Sequence, residues 1–86
     1  MWAVLVYVEI EDQEAGRKML EEQIVPMVKG SPGFVAGYWT DLGNNMGASM
    51  AIFDSEEHAR ATAPEPGQMG PATIKNVQVA EVVASA

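Results

Sequence analysis

Apolar residues run unbroken by Gly or Pro from Ala3 to Ile10, which predicts a first β-strand. Val4, Val6, Val8 and Ile10 point one way. Ala3, Leu5, Tyr7 and Glu9 point the other, so both faces of this strand are largely apolar. The pattern then changes period. Gly16, Met19, Leu20, Gln23, Ile24, Met27 and Val28 form a stripe at helical spacing, and Glu14, Arg17, Lys18, Glu21 and Glu22 occupy the opposite, solvated arc. Asp12 is placed to cap this helix, which is expected to run to about Lys29. Pro26 should bend its last turns, and Gly30 with Ser31-Pro32 should end it.

A second strand is expected from Gly33 to Asp41 and a third from Met46 to Phe53, joined by the turn Leu42-Gly43-Asn44-Asn45. The third strand is filled with small residues (Gly47, Ala48, Ser49, Ala51), which leaves space above it for close packing or a cavity. Ser55 is placed to cap a short second helix that ends before Pro64, with Glu56 and Glu57 in its first turn and Ala59, Thr62 and Ala63 facing inward. Residues 64–71 read as an irregular Pro- and Gly-rich loop, either a lid or simply mobile. Ile74 to Val83 reads as the last strand. The order β-α-β-β-α-β implies a single α+β domain over residues 1–86. It would be ferredoxin-like, with a four-stranded antiparallel sheet and two helices on one face.

Length and composition narrow the chemistry. Eighty-six residues without cysteine and with one histidine leave no disulfide scaffold, no thiol nucleophile and no zinc site built on Cys or several His. Twelve acidic against five basic residues give a net charge of −7, which disfavours a nucleic-acid partner. The opening apolar run lacks a basic lead and a small-residue cleavage site, and it is about half the length that crosses a membrane. A cytosolic protein with no membrane partner is expected. A chain this small buries only about two-thirds of its unfolded surface, and without staples such chains often share apolar surface across a dimer. A homodimer covering the second apolar sheet face is therefore expected.

The segments IVPMVKGSPGFVAGYW, MAIFDSEEHARA and VQVAEVVA come in an order that resembles the dimeric α/β-barrel superfamily. Within it, they resemble the antibiotic-biosynthesis-monooxygenase-like branch. The resemblance spans nearly the whole chain and implies a homodimer whose two sheets meet in a barrel. The haem-degrading members use an Asn on the first strand, a Trp closing the third strand and a His beyond the second helix. Here those places hold Tyr7, Phe53 and no histidine, so haem degradation is disfavoured. Cofactor-free oxygenases hold a phenolic substrate in an apolar enclosure beside a base. On that pattern His58 and Tyr7 are the candidate catalytic residues. Tyr38, Trp39, Met50 and Phe53 are candidates for contacting a small aromatic or quinol, and no cofactor or metal is required. Each also has a plain structural reading: His58 as a solvated surface histidine, Tyr7 as packing, Trp39 as a dimer contact and the methionines as adaptable filler. Two functions therefore stand side by side. One is a cofactor-independent monooxygenase, and the other is a non-catalytic ligand-binding or dimerisation module of the same fold.

Overall fold

A computed structural model describes residues 1–86. It contains β1 (Trp2–Ile10), α1 (Gln13–Met19), a π turn (Leu20–Ile24), α2 (Val25–Lys29), β2 (Phe34–Gly43), β3 (Met46–Phe53), α3 (Glu56–Thr62), β4 (Gly67–Met69) and β5 (Ala72–Glu81). The strands form one antiparallel sheet in the order β2-β3-β1-β5-β4. The continuous 13–29 helix and α3 lie on one face, an α+β arrangement compatible with a ferredoxin-like fold.

The sheet has five strands, not the expected four. The fifth is β4, within the segment read as an irregular loop. Gly67 and Gly70 take positive φ (142° and 57°), which lets three residues turn back and pair with the start of β5. The final strand accordingly begins at Ala72 and ends at Glu81.

The long helix follows the expected span, but Pro26 acts differently from a simple kink. A proline inside a helix removes one backbone donor and crowds the preceding turn. Here the chain widens ahead of it. The Val25 N–H donates to the Leu20 carbonyl, five residues back, so Pro26 falls in the first turn of α2, just after the register shift, where its missing N–H is tolerated. The wide turn also keeps residues four apart on one face, so Gly16, Leu20, Ile24 and Val28 all look toward the sheet.

Asp12 caps α1 by accepting from the Ala15 N–H at 3.1 Å, and Ser55 caps α3 by accepting from the His58 N–H at 3.2 Å. The strand register sorts the side chains. Trp2, Val4, Val6, Val8 and Ile10 share the helix-covered face with Gly47, Ser49, Ala51 and Phe53 of β3. On β2, the register shift between Phe34 and Ala36 lets Phe34, Gly37 and Trp39 all face the helices, although Phe34 is out of simple alternation with the other two.

The core is small. Only ten residues are buried, and Phe53, at 0% exposure, is the one large side chain sealed completely. It meets Phe34 edge-on with ring centroids 6.1 Å apart, in a cluster with Val4, Val28, Ala51 and Ala59. The opposite sheet face carries Leu5, Tyr7, Tyr38, Met50 and Ile52 with no element over it.

Candidate functional site: a cavity under the long helix

The long helix touches the sheet at two places. At its start the backbone of Gly16 comes so close to β1 that a Cβ there would lie 2.8 Å from Ile10 Cγ2. At its end Val28 packs into the core cluster. Between these anchors the helix crosses a strand whose inward residues are Gly47, Ser49 and Ala51, so neither side fills the gap. The result is a cavity of about 430 Å³, within the range of small-molecule sites. Val4, Val6 and Val8 of β1, Trp39 of β2 and Ile74 of β5 form its floor with the small residues of β3. Leu20, Ile24 and Met27 form its roof, and Met69 of the unexpected strand β4 and Pro64 line it too.

Polar groups are few. Gln13, Arg17 and Glu21, at successive turns of the helix, line the cavity together with Asp41 of β2. These four also border a charged groove with Glu14 and Lys18. The Gln13 amide donates to Asn45 Oδ1 at 3.2 Å, and Asp41 Oδ1 accepts from the Gly43 N–H at 2.8 Å. Arg17 forms no ion pair, unlike Arg60, which holds Glu56 at 2.8 Å. The helical periodicity places Arg17 and Glu21 on the solvated arc. They are exposed, yet they also edge the cavity.

Among the residues proposed from sequence, the cavity gathers one. Trp39 lines it, with its six-membered ring lying over Gly37, where a Cβ would fall 2.8 Å from the ring. Phe53 is inside the core and does not reach the cavity wall. Tyr7, Tyr38 and Met50 lie together on the uncovered sheet face, exposed and separated from the cavity by the sheet. His58 is on the first turn of α3, also outside the cavity.

His58 has a separate arrangement. Its Nδ1 lies 2.6 Å from Asp54 Oδ1, one helical turn back at the end of β3. The Asp54 N–H in turn donates to the Gly33 carbonyl at 2.9 Å. The hydrogen bond with His58, helped by its charge, holds the Asp54 carboxyl below its ordinary range against an opposing desolvation. The pair is solvent-exposed and packs over Gly33, which ties the start of α3 to the approach to β2.

No group of three or more His, Asp or Glu side chains is arranged to hold a metal ion. No helix is long and apolar enough to cross a membrane. No family model matches the sequence, and neither the curated proteins nor the solved structures compared with it give a match.

The sequence signal for this site was the run of small residues on β3, which pointed to space above that strand. Ser49 belongs to that run, whereas nothing in the sequence marks Arg17, Glu21 or Asp41 as cavity residues. Their place at the cavity depends on where the helix crosses the sheet.

Proposed function

We propose that the chain binds a small apolar molecule in the cavity between the long helix and the sheet. The observation that carries this reading is unfilled apolar space of about 430 Å³ beneath a helix anchored at both ends. Protein interiors are close-packed, and empty apolar volume costs stability. A gap built from small residues on an interior strand is therefore best understood as room for an occupant. Titration with the apolar fluorophore N-phenyl-1-naphthylamine tests it. Saturable enhancement at one probe per chain is expected. It should disappear in Ser49→Leu, whose side chain would occupy the middle of the floor, while circular dichroism stays unchanged. Absence of binding to the native chain would defeat the reading.

The resemblance to the antibiotic-biosynthesis-monooxygenase-like branch supplies a second reading, cofactor-independent oxidation of a small aromatic or quinol in the same space. An apolar enclosure of suitable size, with Trp39 on its floor, favours it. Since His58 and Tyr7 stand outside, the base would come from the mouth, where Glu21 and Asp41 are the carboxylates. Oxygen uptake with a panel of hydroquinones decides the matter. Uptake reduced by Asp41→Asn or Glu21→Gln supports the reading, and background uptake throughout sinks it.

The uncovered sheet face is proposed to meet the same face of a second copy. The chain has seventeen charged residues, twelve acidic and five basic. Yet within the paired strands Glu9 is the one acidic side chain on that face, and Lys75 approaches it at 3.5 Å. Interface centres are depleted in charge in this way, and a face without net charge lets two chains of net charge −7 meet there.

A further inference from the structure

Three residues that touch the cavity carry hydroxyl groups. Thr40 donates to the Ala48 carbonyl at 2.7 Å and Thr62 to the His58 carbonyl at 3.1 Å, so both are engaged. Ser49 has no hydrogen-bond partner within the chain. It lies on β3, which is flanked by β2 and β1, and it faces the helices between Trp39 and Val6. No buried polar side-chain atom lacks a partner, so the Ser49 hydroxyl is not sealed off. From an interior strand, on the covered face, what it opens into is the cavity. Trp39 stands directly opposite Ser49 across the β2–β3 ladder, and its indole N–H is likewise unpaired and unsealed. Directly opposed residues on one sheet face bring their Cβ atoms within about 5 Å, so the two side chains leave the sheet as neighbours at the cavity floor. An indole N–H can only donate, and so can the unpaired guanidinium of Arg17 at the cavity edge. A serine hydroxyl both donates and accepts. The chemistry shared by all three is donation.

We propose that Ser49 and Trp39 form a hydrogen-bonding subsite on the cavity floor that selects an apolar ligand bearing an accepting oxygen, of the ketone or lactone carbonyl type, over the corresponding hydrocarbon. This rests on the cavity being a binding site, and it adds the chemical class of the occupant. The apolar body fills the space under Leu20 and Ile24. The carbonyl oxygen takes the place of whatever solvent the two donors otherwise hold. A ligand that merely fills the space leaves both donors unpaired, and that loss is what discriminates.

The test uses a matched pair, 1-tetralone and tetralin, which differ by one carbonyl. Binding to the full chain is measured by displacement of N-phenyl-1-naphthylamine. The ketone should bind roughly five- to tenfold more tightly, as expected for one net hydrogen bond in a partly enclosed site. Ser49→Ala and Trp39→Phe, which remove a donor and keep most of the shape, should each bring the two affinities together by weakening the ketone alone. Equal affinities in the native chain, or a preference that survives both substitutions, would overturn the subsite and leave the binding cavity standing. Failure of both compounds to displace a probe that does bind would also overturn it. Failure of the probe itself to bind would remove the cavity reading, and the subsite with it.

Discussion

Gly33 carries more structural demand than any other glycine of the chain. Its φ of 78° lies where a side chain is strained, and a Cβ would overlap both His58 Nδ1 and Asp54 Oδ1. Gly33→Ala should therefore cost about 1–3 kcal/mol of backbone strain in urea denaturation, and it should displace the His58–Asp54 pair. The same pair sets an acid dependence. Asp54 is held below its usual range in the folded chain, so its contribution is complete above the ordinary carboxylate range and disappears as the pH falls through its lowered value. Asp54→Asn should flatten the acid limb of a stability–pH profile. An unchanged limb would place the acid sensitivity on other carboxylates. His58 drew attention in the sequence because it is the chain's one histidine. Its role in the structure is a contact with a carboxylate one turn away, which the spacing of Asp54 and His58 already allowed. What spacing could not convey is that Gly33, from the turn before β2, would be the surface beneath them.

At the scale of elements, the long helix and the third strand were legible in the pattern of residues, and the relation between them was not. Periodicity gave the stripe Gly16, Leu20, Ile24 and Val28, and small side chains marked β3. A pattern along one chain says nothing of where two elements part, so the stand-off that makes the cavity appeared only in three dimensions. The π turn was also hidden, because a wide turn leaves no residue signature beyond the proline it accommodates. That turn makes a prediction. Since Pro26 lies in the first turn of α2, where a missing N–H is tolerated, Pro26→Ala should change stability by less than about 1 kcal/mol. A gain of about 3 kcal/mol would mean that Pro26 strains the helix as an interior proline does. The strand β4 was missed for a related reason: Pro64, Pro66 and Pro71 around it are loop-formers, and two positive-φ glycines converted the loop into a hairpin.

For the whole molecule, the arithmetic of size was the most informative reading of the sequence. An 86-residue chain with ten buried residues and one wholly enclosed large side chain has a thin core. The apolar residues on both faces of β1 were visible in the alternation of residues 3–10, and the structure leaves one of those faces bare. If a second copy covers it, sedimentation should report twice the 9.2 kDa chain mass. Tyr38→Glu, at a position 64% exposed in the single chain, should then return the mass to one chain without loss of secondary structure. A native chain that sediments at 9.2 kDa across micromolar concentrations ends the proposal.

The small side chains of β3 have a consequence for how the molecule can be interrogated. The gap above them comes from atoms that the strand does not have, between anchors that hold the helix in place, so it does not depend on a moving part. If the gap is the binding site proposed above, a ligand that fills it adds apolar contacts that the chain alone does not make. Such a ligand, at a hundredfold excess over its dissociation constant, would raise the unfolding free energy by about 2.7 kcal/mol. Melting temperature thus becomes a reporter of chemical fit that requires no knowledge of any reaction, and a library ranked by it would let the protein itself identify its occupant.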